Sequence, residues 1–380
     1  MRILLLGEYS RFHNSLKEGL VHLGHEVVLI GNNDFKNYPL DISLYAKIFK
    51  DNFLLNKFRQ LVFRISKLDL AQLETALRFY LHRKKLVHFD IVQLVNEYPI
   101  ESTLYWEKKM LKFIFHHNKK VILSSCGDDY NCVKFMLDGK FRYSILTPCE
   151  TNPDAPHCKY TLKYVSGPFL KLHDFVYENI AMVIAGDMDY SIPLDGHPKS
   201  SGLIPYPINT NKLAWSPLII NGKIVIFHGI NELNATRKGN SYFETALVEI
   251  GKKYSEKVDI ITARSIPYAT YIQLYDSAHI VLDQVWSYDQ GYNALEAMAK
   301  GKVVFTGAET EFMDYYNLKE RVCVNTLPNV DYLVKELSYL IENPEEITAI
   351  SNRARAFIEK EHHYIKIAEK YLEVWNSNLE

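Results

Sequence analysis

Val281 to Gly307 reads VLDQVWSYDQGYNALEAMAKGKVVFTG: an apolar strand, a polar turn, a short helix and a second apolar strand. A strand–turn–helix of this kind presents backbone N–H groups and the positive end of a helix at one point, which suits an anion such as a diphosphate. Asp289, Gln290, Gly291, Tyr292 and Asn293 form the turn and helix start, and are the candidate anion-binding set. Glu296 follows about one helical turn later and could accept hydrogen bonds from sugar hydroxyls. A second set lies upstream, where His228-Gly229 closes an apolar strand and Arg237-Lys238-Gly239 precedes a helix. Fixed cations beside such amides would stabilise charge developing on a departing diphosphate without reorganising.

Carboxylates mark the first half of the chain. The apolar strands 91–95 and 120–123 end in Asn96-Glu97 and in Ser124-Ser125-Cys126-Gly127-Asp128-Asp129. Carboxyl ends of strands line the ligand crevice of open α/β sheets, so Asp128 and Asp129 are catalytic candidates for orienting a reacting hydroxyl. Capping of the following helix is the alternative. No metal site is expected, because Cys149, His157 and Cys158 have no usual zinc spacing. GxSxG, HExxH and Walker A sequences are missing, and the loop after the first strand lacks GxGxxG, so no cofactor is expected.

Gly291, the run Leu295-Glu296-Ala297-Met298-Ala299 and Gly301 resemble the donor-binding segment of retaining GT-B glycosyltransferases of the GT4 type (glycosyl transferases group 1). Lys238-Gly239 matches the family's Lys-Gly, with Arg237 adjacent to it, and Ile204 to Asn209, IPYPIN, resembles the family's interdomain connection. The resemblance implies an α/β GT-B fold, two Rossmann-like domains with parallel sheets facing across a cleft. It further implies retention of configuration, a nucleotide-sugar donor without a divalent cation, and a glycan or lipid-linked acceptor, as in bacterial surface polysaccharide assembly. It places Gly7 and Glu8 on the acceptor side, an ordinary strand–helix turn being the other reading. The family's second acidic residue, eight positions before Glu296, is here Tyr288, a departure that bears on donor identity and activity. A non-catalytic nucleotide- or glycan-binding subunit and a GT-B-like nucleotide-sugar epimerase are the rival readings. Asp187-Met188-Asp189 has the DxD form of the metal-dependent GT-A class, whose layout differs.

These residues need two α/β units to hold them. Strand 2–6, helix 15–23 and strand 26–30 open the first, and alternating strands and helices from 223 to 306 build the second. Proline and glycine make 192–220 a connection. The domains are expected at 1–203 and 204–360, with a helix over 361–380 crossing back. A chain of 380 residues suits two domains, and a net charge of -1 argues against nucleic acid. No segment has the roughly 18 apolar residues of a membrane span, the start is too short for a signal peptide, and five irregularly spaced cysteines read as free thiols of a reducing cytoplasm. Residues 45–88 are basic and amphipathic: either they lie on the inner face of a membrane, or their apolar face packs on the first domain.

Overall fold

A computed structural model describes residues 1–32 and 38–377, with backbone only at 268 and 269. The first sheet contains β1 (Arg2–Leu6), β2 (Glu26–Gly31), β3 (Ile42–Ser43), β4 (Ile91–Leu94), β5 (Lys120–Ser125), β6 (Met182–Ala185) and β7 (Ser200–Leu203). They lie in the order β3-β2-β1-β4-β5-β6-β7, all parallel. The second sheet contains β8 (Ile224–Ile230), β9 (Val258–Arg264), β10 (Ile280–Leu282), β11 (Val303–Thr306) and β12 (Val324–Asn325), parallel in the order β12-β11-β10-β8-β9. Continuous apolar runs such as Ile3–Leu6 and Val303–Phe305 are buried on both faces, as parallel strands covered by helices must be.

Each sheet reverses its strand order once, between β1 and β4 and between β8 and β10. Loops leaving the carboxyl ends of strands at such a reversal splay to opposite faces and leave a crevice. The two crevices face each other.

Beyond the second sheet, helix Pro344–Glu361 leads to helix Tyr364–Asn376, which packs on the first helix of the chain, Phe12–His22. Trp375 and Tyr371 are fully buried in one cluster with Phe12 and Leu16. The Nζ of Lys120 donates to the Trp375 carbonyl at 2.8 Å, and Ile208 forms a parallel bridge with His363.

Two expectations change. The predicted connection 192–220 contains β7, which pairs with β6 alone. An edge strand needs one partner, so Gly202 and the flanking prolines Pro198 and Pro205 are tolerated there. The cysteines are not all free thiols: Cys149 and Cys158 form a disulfide, their Cα atoms brought to 5.9 Å by the turn between two short helices. Cys126, Cys132 and Cys323 are free and buried.

Candidate active site

A cavity of about 380 Å³ lies where the two crevices meet. Its walls come from the loops after β1 (Tyr9, Ser10), β4 (Asn96), β5 (Gly127, Asp128) and β6 (Asp187, Tyr190), and from Arg237, Gly291 and Tyr292 of the second domain. An adjoining cavity of about 210 Å³ shares Asp128, Asp187, Arg237 and Gly291, and adds Lys238 and Gln284.

Arg237 reaches across the cleft. Its Nη1 and Nη2 donate to the two Asp128 oxygens at 2.8 and 2.6 Å. The Thr161 hydroxyl donates to the same carboxylate at 2.7 Å and accepts from Arg237 at 3.0 Å. Burial pushes Asp128 up, but the charge and hydrogen bonds of Arg237 more than reverse this and hold it below the ordinary value. Lys238 donates to Asp283 at 2.7 Å, and the Asn293 amide donates to the same oxygen at 3.2 Å. Gly239 makes this reach possible: its φ of +71° turns the chain, and a Cβ there would lie 2.8 Å from Val285. Both candidate cations are therefore matched to buried carboxylates.

Helix Tyr292–Ala299 starts at Gly291 on the cavity wall. The Tyr292 hydroxyl lies 2.9 Å from the Pro207 carbonyl and 2.6 Å from the Ser15 hydroxyl, tying this helix to the first domain. One turn on, Glu296 faces Arg11 at 3.7 Å. Ser10 and Arg11 both have left-handed backbone, φ 53° and 80°, a conformation that costs of order 1–3 kcal/mol per residue. The loop after β1 is thus bent to bring Ser10 to the cavity and Arg11 to Glu296.

Several expected site residues stand elsewhere. Asp129 is the cap of helix Tyr130–Leu137, accepting from the Cys132 N–H at 2.8 Å and from the Ser125 hydroxyl. Burial, then the charge of Glu97, pushes it up to about 7. Asp289 turns from the cavity and accepts from the Met188 N–H at 3.1 Å and the Gln290 N–H at 2.7 Å. Gln290 is buried and donates to the Gly307 carbonyl at 2.8 Å. His228 is fully buried, takes a hydrogen bond from the Asn240 amide at 2.8 Å, and is pushed down to about 4 by burial and then by Arg264 and Lys238. A Cβ on Gly229 would lie 2.5 Å from the Tyr271 ring. Gly7, at φ +88°, accepts from His13 at 2.6 Å, and Glu8 accepts from the Asn14 N–H at 2.7 Å, so both shape the turn into the first helix. Their neighbours Tyr9 and Ser10 line the cavity instead.

Tyr288 is packed, not placed at the cavity. Its hydroxyl accepts from the Arg142 N–H at 2.6 Å, and the Arg142 guanidinium lies 4.6 Å from the centre of its ring. Arg142 also pairs with Glu309 and Glu311, so this contact joins the domains. The two DxD carboxylates differ in surroundings: Asp189 accepts from the Tyr288 N–H at 3.1 Å and from the Ser287 hydroxyl and lines only the smaller cavity, while Asp187 lines both. Among the described residues, the one cluster of three metal-type ligands is Cys149, His157 and Cys158, whose sulfurs are joined to each other.

Residue-by-residue reading missed the aromatic wall of Tyr9, Tyr160, Tyr164, Tyr190 and Tyr206. The available signal was compositional: 26 tyrosines against 19 phenylalanines, the aromatic that suits a wall apolar on one side and wet on the other.

Residues 234–373 match a family model described as glycosyl transferase-like. No curated protein matches the chain by sequence. Sucrose-phosphate synthase from Thermosynechococcus elongatus is similar with a TM-score of 0.62 at 14% identity, over 99% of both chains. The fold is GT-B. Anabaena HepE, solved in complex with UDP-glucose, gives a TM-score of 0.56 at 13% identity, over 99% of this chain and 100% of that one. A putative UDP-N-acetylglucosamine 2-epimerase from Listeria monocytogenes gives 0.52 at 11% identity, over 99% of this chain and 95% of that one. At these identities the likeness is one of architecture: two α/β domains with parallel sheets facing across a cleft.

Proposed function

We propose that this chain transfers a sugar from a nucleoside diphosphate to a hydroxyl of a glycan or lipid-linked acceptor. The observation that carries the reading is the convergence of Arg237, Lys238 and the amino end of helix Tyr292–Ala299 on one cleft. The matched glycosyl transferase-like region spans all three, and a structural neighbour was solved with UDP-glucose.

In this reading the diphosphate lies against Lys238 and the Gly291 turn, and Glu296 takes the ribose hydroxyls. Arg237 leaves Asp128 for a phosphate as the donor enters. Charge that grows on the departing diphosphate meets cations and N–H dipoles already in place, with no divalent cation. Asp128, once released, faces the loop after β1 from which an acceptor hydroxyl would approach. Retention of configuration, a GT4 assignment and a role in bacterial surface polysaccharide assembly belong to the same proposal, and rest on the LEAMA and Lys-Gly resemblance. A cytoplasmic location rests only on the three free thiols Cys126, Cys132 and Cys323, and the Cys149–Cys158 disulfide stands against it.

Calorimetry with UDP, GDP, CDP and dTDP in EDTA is the test. Binding of one of them, followed by sugar transfer from the matching donor, is the expected result. Lys238→Ala should lower turnover roughly a hundredfold or more; because it also leaves buried Asp283 unpaired, turnover is compared at a temperature where the variant is still folded. Binding without turnover across donors and acceptors would favour the non-catalytic subunit, which the packed Tyr288 motivates. Interconversion of free nucleotide sugars without acceptor would favour the epimerase, which the Listeria likeness motivates. No nucleotide binding at all rejects the site.

A further inference from the structure

Helix Phe53–Ser66 is amphipathic in the wrong sense for a soluble domain. None of its residues is buried. Leu55, Arg59 and Val62, at spacings of four and three, are its partly covered side. Leu54, Phe58, Leu61 and Ile65 share one face, at spacings of four, three and four, and are 75%, 53%, 55% and 78% exposed. Lys57 and Arg64 are exposed along one edge of this apolar stripe. From 53 to 67 the chain carries Lys57, Arg59, Arg64 and Lys67 and no acidic residue, although the whole protein has a net charge of only -1. The next helix, Leu70–His82, adds Leu77 and Leu81, 58% and 73% exposed, and runs into Arg83, Lys84 and Lys85.

A groove of about 620 Å³ lies behind this element. Lys50, Arg59, Lys67 and Lys163 line it, against Asp69 and Glu101. Asp69 is held by Arg59 at 2.9 Å. The groove ends at Tyr160, which also lines the interdomain cavity.

We propose that helix Phe53–Ser66 docks on an anionic lipid bilayer, with Leu54, Phe58, Leu61 and Ile65 among the acyl chains and Lys57 and Arg64 at the headgroups. The basic groove then opens toward the headgroup layer and joins it to the cleft. Among the described residues no helix is long and apolar enough to cross a membrane, so the contact is interfacial. Charge separates this occupant from a second copy of the chain. A two-fold interface sets the same patch against itself, which would bring cation against cation along an edge that has no acid to match it. The proposal does not rest on sugar transfer.

The test is co-sedimentation of the full chain with vesicles of phosphatidylcholine alone, or of equal parts phosphatidylcholine and phosphatidylglycerol. The chain should pellet with the anionic vesicles, and less so in high salt. Combined Leu54→Ser, Phe58→Ser, Leu61→Ser and Ile65→Ser should lower partitioning roughly a hundredfold. Combined Lys57→Gln and Arg64→Gln should lower it about thirtyfold, since each surface cation near such a membrane is worth about a factor of five. Both variants change exposed residues and should melt like the wild type. A wild-type chain that stays in the supernatant with both vesicles overturns the proposal, as does an apolar-stripe variant that pellets undiminished. A wild-type dimer that the serine variant converts to monomer assigns the face to a second copy instead.

Discussion

At the scale of single residues the cleft is defined by competition. Arg237 is bound bidentately by Asp128, and Lys238 by Asp283, so an entering diphosphate meets cations already engaged. Asp128→Asn keeps the shape and removes the rival charge. A charge-assisted pair is about twice as strong as a neutral one, so nucleoside diphosphate should bind Asp128→Asn roughly tenfold more tightly. Calorimetry reads this directly. Unchanged affinity with lost turnover would instead make Asp128 purely a group that acts on the acceptor. The residue types of this cleft were legible in sequence, and their pairings were not. Asp128 and Arg237 are 109 positions apart, and only the apposition of two domains makes them neighbours. Asp129, adjacent and of the same type, was indistinguishable until its side chain was seen capping a helix.

At the scale of elements, strand–helix alternation carried most of the architecture. Apolar runs with a period fitting buried strands gave β1, β2, β4, β5 and β8 to β11 within a few residues; two-residue β12 is too short to show a pattern. β7 escaped because an edge strand makes half the hydrogen bonds and keeps its prolines. The stretch 45–88 read as one amphipathic unit and is three helices and a 3-10 turn, broken where Asn52 and Asp69 cap new starts. The contact between helices Phe12–His22 and Tyr364–Asn376 depends on Gly19. A Cβ there would lie 2.4 Å from the Tyr364 carbonyl oxygen and 2.8 Å from the Ala368 Cβ. Gly19→Val should destabilise the protein by about 1–3 kcal/mol through overpacking, although valine is the better helix former. Denaturant unfolding measures the loss; a valine variant as stable as wild type would mean that the two helices do not close-pack in solution.

At the scale of the whole molecule, three of the carboxyl groups at the domain interface are pushed upward: Asp187 and Asp189 from the first domain, Asp289 from the second. Burial is the leading cause of upward shift in all three, taking Asp189 to about 6 and Asp289 to about 7 against an ordinary 3.8. The folded state then binds more protons than the unfolded chain between those values. The stability this contributes is full below the unfolded value and is lost as pH rises through the folded one. Buried His13, His228 and His362, pushed from 6.5 down to about 4, give the opposite slope, which ends by 6.5. Above that pH the carboxyl slope should show: wild type loses melting temperature as pH rises from 6.5, and Asp289→Asn loses less. Parallel slopes for the two would place the titration elsewhere.

The Ile208–His363 bridge has a mechanical consequence. The chain passes from one domain to the other twice, and this bridge lays the two crossings side by side. Two tethers at one edge make a door rather than a ball joint. Twisting and sliding of one half on the other would break the bridge, whereas swinging about it leaves it whole. Reclosing requires no search through orientations, because both leaves stay hung on the same short edge.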